Sequence, residues 1–167
     1  HYPIHFYGTM DKSIKHRVIN LDMAYEVKPK QLHLKSYFEA CGISDYEIKK
    51  PTLCFKITPE NKLFKKYCII HIDHRETTHR NVLGVNWKEV SNYLNTLGYT
   101  PIQIGKNEHE VAGIEMQTPS LAFLSWVIAG ADLYIGCDSG PSHIASAFNI
   151  PSIIFFGSVD PKVIHPD

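Results

Sequence analysis

Short apolar runs alternate with amphipathic stretches along the chain from residue 67 onward. Each run is rich in β-branched or aromatic residues, and the stretch after it carries apolar residues at the spacing of one helix face. This alternation is typical of strand-helix units on a parallel sheet, and it predicts an α/β fold in which helices flank the sheet. The predicted strands are residues 68–73, 101–105, 133–136 and 152–156.

The helices are predicted from the period of their apolar residues and from their stop signals. In residues 86–97, Trp87, Val90 and Leu94 fall near one face, which suits a helix that packs on a sheet. Gly98 follows as a normal C-terminal stop. The predicted helices are residues 31–40, 86–97, 120–129 and 140–148.

The chain divides at a segment with the composition of a linker. Residues 51–66 hold two prolines and a cluster of lysines, which is typical of connections between domains. Residues 1–50, with strand-like pieces at 4–7 and 18–21, are predicted to be the tail of an upstream domain. Residues 67–167 are predicted to form an incomplete α/β domain. Because the chain begins without an initiator methionine, we expect it to be a fragment of a longer protein.

Charge and cysteine content restrict the environment and the partners. The chain has 17 basic and 17 acidic residues, so no overall field attracts it to nucleic acid or to an anionic membrane. Its longest apolar stretch, residues 121–131, is roughly half as long as a bilayer crossing requires. We therefore expect a cytoplasmic protein without a transmembrane segment. The cysteines form no C-x-x-C pair and predict free thiols: Cys41, Cys54, Cys68 and Cys137.

The segment 138–143, D-S-G-P-S-H, carries the clearest candidate chemistry. It follows a predicted strand, and ligands of parallel sheets bind beyond the carboxyl ends of the strands. Ser139 is a good N-cap, Gly140 lets the backbone approach an anion closely, and Pro141 suits the first helical turn. The amides and positive dipole end of such a helix favour phosphate, to which His143 would also donate. The sequence predicts an anion site, with an ordinary capped turn and a core histidine as the alternative.

Two other chemistries are weighed against the anion site. A nucleophilic Ser139 with His143 as its base lacks the strained G-x-S-x-G turn and the separate orienting acid of serine hydrolases. Histidines near the first predicted strand suggest a metal site, but most of them lie on a predicted loop, whereas zinc ligands converge from rigid elements. We therefore expect neither a hydrolase nor a metal site. The residues considered as metal ligands are His71, Asp73, His74 and His79.

Two motifs in the second half of the chain form a specific combination. Residues 127–143 read V-I-A-G-A-D-L-Y-I-G-C-D-S-G-P-S-H, and residues 156–161 read F-G-S-x-x-P. Together they resemble glycosyltransferase family 9, the ADP-heptose:lipopolysaccharide heptosyltransferase type with a two-domain GT-B fold. The likeness covers about the last hundred residues well and the first sixty loosely. It implies that the α/β domain is the Rossmann-like C-terminal half of a GT-B enzyme, which binds an activated sugar.

The resemblance also implies roles for individual residues. The D-S-G-x-x-H element would contact the donor diphosphate together with a basic residue after the first strand, through charge-assisted bonds. The loop that carries this basic residue is longer here than in the family. A glutamate after the second strand would bind the ribose, with a solvated helix start as the alternative for each candidate. The implied diphosphate contacts are Asp138, Ser139, Gly140, His143, Arg75 and Arg80; the nucleoside contacts are Gly105, Glu108, Glu110 and Ser120; Gly157 and Ser158 form a further ligand-edge loop.

The implied activity is transfer of a sugar, with heptose expected, from a nucleotide-diphosphate donor such as ADP-heptose to a saccharide or lipid-linked saccharide. The family inverts the anomeric carbon, and its base is an aspartate of the amino-terminal domain, so we expect little catalysis by this chain alone. No metal or cofactor is implied. The parent is expected in lipopolysaccharide biosynthesis, in the cytoplasm or peripherally on the inner face of the cytoplasmic membrane. The alternatives are a noncatalytic nucleotide-sugar-binding module and a GT-B enzyme that uses a UDP- or GDP-sugar.

Overall fold

A computed structural model describes most of the chain. The described residues are 21, 24, 27–28, 30–49, 62–72, 82, 84–105, 111, 113–157 and 160–164. They contain helices α1 (His33–Ala40), α2 (Trp87–Thr96), α3 (Leu121–Ala129), α4 (Gly140–Ala147) and α5 (Pro161–Ile164). They also contain strands β1 (Tyr67–His71), β2 (Thr100–Ile104), β3 (Ile114–Met116), β4 (Leu133–Cys137) and β5 (Ser152–Phe155).

The chain forms two compact units. One comprises His1–Lys49 with Val159–Asp167, and the other comprises Lys50–Ser158. In the first unit α1 contacts α5, and the Glu39 carboxylate accepts hydrogen bonds from Lys28 and Gln31. These hydrogen bonds, above all the one from Lys28, lower the pKa of Glu39. The domain boundaries given by the sequence, including the linker at 51–66, stay a prediction.

The second unit is built on a five-stranded sheet whose order is β3-β2-β1-β4-β5. Every neighbouring pair is parallel, which confirms the predicted α/β class with a parallel sheet flanked by helices. In the centre, Ile69 pairs with Ile102 on one side and with Tyr134 on the other. The chain lays β2 and β3 to one side of β1, then returns to place β4 and β5 on the other. The strand order therefore reverses between β1 and β4.

Alternate side chains of β1 enter the two cores on opposite faces of the sheet. Tyr67 and Ile69 belong to the core that includes Val127 of α3 and Ala145 of α4. Cys68 and Ile70 belong to the core beneath α2, which also contains Trp87 and Leu94. A strand covered on both faces is apolar at successive positions, so the run Y-C-I-I at the start of β1 is the expected sequence. This burial raises the pKa of the Cys68 thiol to about 12.

Hydrogen bonds join the amino ends of β1 and β4. The Asp132 carboxylate accepts from the Tyr67 amide at 3.0 Å and from Lys62 Nζ at 2.8 Å, and the Asp132 amide donates to the Tyr67 carbonyl at 3.0 Å. The Tyr67 hydroxyl donates to the Val127 carbonyl oxygen at 2.6 Å. Burial, together with the nearby Asp132 charge, raises the pKa of that hydroxyl. These hydrogen bonds stabilise this end of the sheet.

The four strands and four helices expected from the sequence are present, with ends shifted by a few residues. Two short elements, β3 and α5, were not predicted, because three or four residues carry too little periodicity to be recognised. The strand-like piece at 4–7 lies outside the described residues, as does the piece at 18–21 except for Leu21, which is in no strand. Cys41, Cys68 and Cys137 carry free thiols, and Cys54 is outside the described part. No helix among the described residues is both long enough and apolar enough to cross a membrane.

Candidate functional site

The candidate site lies where the strand order reverses. β4 ends at Cys137, β1 ends at His71, and the two strands are parallel neighbours. The chain leaves the sheet at Asp138, and α4 begins two residues later, at Gly140. Ligands of open parallel sheets bind in the crevice that forms at this topological position, because the loops on either side diverge there. The D-S-G segment therefore lies where this fold places a ligand.

The first turn of α4 is organised by its own serines. Ser139 is the N-cap residue in extended conformation, and Pro141 occupies the first turn. The Ser142 hydroxyl accepts from the Ser139 amide at 3.2 Å and donates to the Ser139 carbonyl at 2.7 Å. Within the described residues the Gly140 amide has no acceptor. The helix therefore offers one amide and its positive dipole end to an anion outside it.

Two glycines at this edge have opposite surroundings. A Cβ atom at Gly136 would lie 2.6 Å from the His71 carbonyl oxygen and 2.9 Å from the Tyr134 hydroxyl, so the strand packing excludes a larger residue. A Cβ atom at Gly140 would meet nothing within 4 Å. Gly136 is needed for strand packing, whereas the absence of a side chain at Gly140 leaves open space above the backbone that a ligand can approach.

Asp138 and His143 flank the helix start. The Asp138 amide donates to the Phe155 carbonyl at 3.1 Å, which ties the loop to β5. The Asp138 side chain is 15% exposed and its Oδ1 lies 3.9 Å from His143 Nε2, while His143 is 48% exposed. The two form an ion pair when the imidazole is protonated. His143 is thus placed on the first turn of the helix with its ring half exposed.

His71 is the residue at this site whose role the sequence did not suggest. Its Nδ1 lies 3.1 Å from Ser139 Oγ, and the Cys137 thiol lies 4.0 Å from the same nitrogen. On the opposite side, Gly105 stands next to the ring, because a Cβ atom there would lie 3.4 Å from His71 Cδ2. From the sequence alone, His71 is a candidate only as a metal ligand. Its position as the last residue of an apolar strand is the signal that indicates the ligand edge.

The other predicted contacts fall on loops that follow strands or on residues outside the described part. Gly105 follows β2 with a φ of +116°, a conformation that favours glycine, and Gly157 follows β5. Ser120 caps α3, and its hydroxyl accepts from the Phe123 amide at 3.2 Å, so it has a structural role already. The predicted contacts outside the described residues are Arg75, Arg80, Glu108, Glu110 and Ser158.

Of the four candidate metal ligands, only His71 lies among the described residues. Across the described residues, no group of three or more His, Cys, Asp and Glu side chains comes together as a metal site. Asp73, His74 and His79 lie outside that part of the chain. His71, the remaining candidate, contacts Ser139 and Cys137.

Fold and site together define a parallel α/β domain with the amino end of a helix at its topological switch point. The model of glycosyltransferase family 9 (heptosyltransferase) matches residues 4–166, so the chain belongs to this family. The resemblance seen in the two motifs is thereby confirmed, and it extends through the amino-terminal third of the chain. A search of the curated proteins gives no match.

Solved structures of this family have a similar fold. The iron-containing dodecameric glycosyltransferase TibC of enterotoxigenic Escherichia coli is 25% identical, with a TM-score of 0.52 over 60% of this chain and 30% of its own. The heptosyltransferase WaaC of Escherichia coli is 18% identical, with a TM-score of 0.52 over 77% of this chain and 45% of its own. A family 9 glycosyl transferase of Veillonella parvula is 19% identical, with a TM-score of 0.50 over 59% of this chain and 32% of its own. The chain therefore spans less than half the length of these relatives.

Proposed function

We propose that this chain is the donor-binding part of an inverting glycosyltransferase that takes a sugar, heptose in the first instance, from an ADP-sugar. The observation that carries the proposal is the start of α4, which lies at the switch point of the sheet in a chain of family 9. The donor class is supported by relatives of the same fold, since TibC is described with ADP-D-β-D-heptose and WaaC with ADP. The acceptor is proposed to be a saccharide or lipid-linked saccharide.

The proposed binding mode places the donor diphosphate against the first turn of α4. The Gly140 amide and the helix dipole would hold one phosphate, and the imidazole of His143 would donate a second hydrogen bond. Hydrogen bonds to a charged oxygen contribute about 1.5–3 kcal/mol each. Asp138 would keep His143 oriented and favour its charged form, because its carboxylate is within ion-pair distance. The site would thus combine one backbone donor with one cationic side chain.

The same groups would assist the chemical step. As the acceptor hydroxyl attacks the anomeric carbon, the bond from that carbon to the diphosphate oxygen breaks and negative charge grows on the departing nucleotide. Donors fixed in advance at the start of α4 would stabilise that charge more strongly than the charge of the intact donor. A base must remove the proton of the acceptor hydroxyl, and we propose that it belongs to the amino-terminal domain of the parent protein. The chain alone is therefore proposed to bind donor but to catalyse little.

Further contacts are proposed from the loops around this edge. Arg75 or Arg80 would pair with the phosphates, and Glu108 or Glu110 would bind the ribose. Ser158 would join Gly157 on the loop after β5, while Gly105 and Ser120 would lie near the nucleoside. No metal or cofactor is needed for this mode of binding, and the parent would act in the cytoplasm or at the inner face of the cytoplasmic membrane.

The test is a size series at Gly140. Calorimetric titration of ADP into the wild-type chain, Gly140→Ala and Gly140→Val should give an affinity that falls in that order, with Val at least about tenfold weaker because it blocks the amide donor. Because Gly140 immediately precedes Pro141 in the helix, a Cβ atom here meets the proline ring, so Ala and Val should each lower the stability of the helix. Thermal unfolding measures this cost, and an affinity loss larger than the stability loss explains would separate ligand contact from folding.

Further titrations address donor type and activity. Titrations with UDP and GDP test the donor base, and weaker binding of both is expected. Equal ADP affinity of the wild type, Gly140→Ala and Gly140→Val would overturn the proposed site. Donor binding by the full-length parent without transfer to any acceptor would favour a noncatalytic nucleotide-sugar-binding module instead.

A further inference from the structure

His71 lies at the end of β1, between the ends of its two neighbouring strands. It ends β1, and its strand neighbours in the sheet are Ile104 on β2 and Gly136 on β4. A side chain at Gly136 would collide with the His71 backbone, and one at Gly105 would touch the imidazole ring. The imidazole therefore lies at the centre of the ligand edge, with Gly105 beside its ring.

The hydrogen bonds around Ser139 fix which atom donates. Its Oγ lies 3.1 Å from the Cys137 carbonyl oxygen and 3.1 Å from His71 Nδ1. A carbonyl can only accept, so the single hydroxyl hydrogen goes to Cys137. The hydroxyl oxygen must then accept from Nδ1–H of His71. The result is a chain of hydrogen bonds from the end of β1, through the N-cap side chain of α4, to the end of β4.

From this chain we infer that His71 is a positioning residue for the proposed donor site. By donating to the Ser139 hydroxyl it holds the N-cap residue, and with it the adjacent Gly140 amide, in the orientation that meets a diphosphate. The Ser139 hydroxyl also faces the Ser142 amide in the capping box of α4, so the bond from His71 and the cap together hold the Ser139 side chain. The inference rests on the proposed function, because it assigns His71 a role only if the start of α4 binds a diphosphate.

A double-mutant cycle with ADP as the probe tests the coupling. His71→Leu and Ser139→Ala should each weaken ADP binding about fivefold, the value of one ordinary hydrogen bond. The double variant should be no weaker than the poorer single variant, because both changes remove the same interaction. His71→Asn should restore most of the affinity, since its amide nitrogen can occupy the place of Nδ1 and donate. His33→Asn, in the other compact unit, is the matched control and should bind like the wild type.

The outcomes separate this inference from the proposed function. If the wild type does not bind ADP, both fail. If Gly140→Val loses binding while His71→Leu retains it, or if the effects of His71→Leu and Ser139→Ala simply add, the positioning role alone is overturned. Covalent capture of Ser139 by a fluorophosphonate would also overturn it, because the hydroxyl hydrogen would then pass to His71 as a base. Thermal unfolding of each variant shows whether lost affinity follows lost structure.

Discussion

The two ends of β4 each carry an aspartate, and the two aspartates have different surroundings. Asp132, just before the strand, accepts from the Tyr67 amide and from Lys62 at 3.0 and 2.8 Å. Asp138, just after the strand, has its carboxylate 3.9 Å from His143 Nε2, which is longer than a hydrogen bond. Asp132 thus has short hydrogen bonds to a backbone amide and a lysine, whereas Asp138 stands beside a side chain that is itself half exposed.

The amino end of β4 is thus built for stability, whereas its carboxyl end is the one proposed to bind a ligand. At the amino end, the polar groups hydrogen-bond to one another and so join β1, β4 and the segment before β1. At the carboxyl end, the polar groups of α4 and its N-cap lie beside open space at Gly140. Residues of the same chemical type should therefore respond differently to substitution at the two ends of the strand.

The largest expected effect is on stability at the amino end. Asp132→Ala leaves the Tyr67 amide and Lys62 without their acceptor, and it should lower the free energy of unfolding by about 2 kcal/mol. The isosteric change Asp138→Asn keeps the backbone bond to Phe155 and removes a charge that faces a half-exposed imidazole, so it should alter the free energy of unfolding by less, about 0.5 kcal/mol. Urea unfolding followed by circular dichroism measures both.

Lys62→Met is the control for the charge at Asp132. Because the lysine side chain is 26% exposed, losing the ion pair alone should cost less than losing the carboxylate, which also holds the Tyr67 amide. Equal losses for Asp132→Ala and Asp138→Asn would show that the two ends of the strand do not differ in the way proposed here.

The next effect is on binding at the carboxyl end. His143→Ala removes one charge-assisted donor, and it should weaken ADP binding about tenfold. The side chain is 48% exposed, so the thermal midpoint should change little. Asp138→Asn should weaken binding less, about threefold, because it removes only the partner that favours the charged imidazole. Calorimetric titration of ADP into the wild type and both variants measures these losses.

Much of the fold could be predicted because its strands are buried on both faces. The run at β1 is apolar at successive positions, and such runs are recognisable wherever helices cover both sides of a sheet. The start of α4 could also be predicted, since Ser139, Gly140 and Pro141 each have a local conformational reason to stand there. β3 could not, because Ile114 and Glu115 are exposed on an edge strand and carry no apolar period.

The contact between His71 and Ser139 lay beyond sequence reasoning. The two residues are 68 positions apart, and they meet because β1 and β4 are neighbours across the switch point. Periodicity identifies strands but does not give their order in the sheet. The role of His71 therefore became visible only with the topology, although its place at the end of a strand could have marked it as a residue of the ligand edge.

The smallest expected effect is a loss of stability in alkali at the amino end of the sheet. Burial raises the pKa of Cys68 from 9.0 to about 12, so the folded state keeps the thiol neutral while the unfolded chain ionises. Below pH 9 this contribution is fully present, and it is lost as the pH rises toward 12. Between pH 7 and about pH 9.5, ionisation of Cys68 in the unfolded chain should lower the free energy of unfolding by about 1 kcal/mol. In Cys68→Ala the free energy of unfolding should therefore fall by that much less between the two pH values. Any cavity that the substitution creates lowers stability equally at both pH values, so it does not affect this difference. An unchanged alkaline loss in Cys68→Ala would mean that the thiol is not held neutral by the core at this end of the sheet.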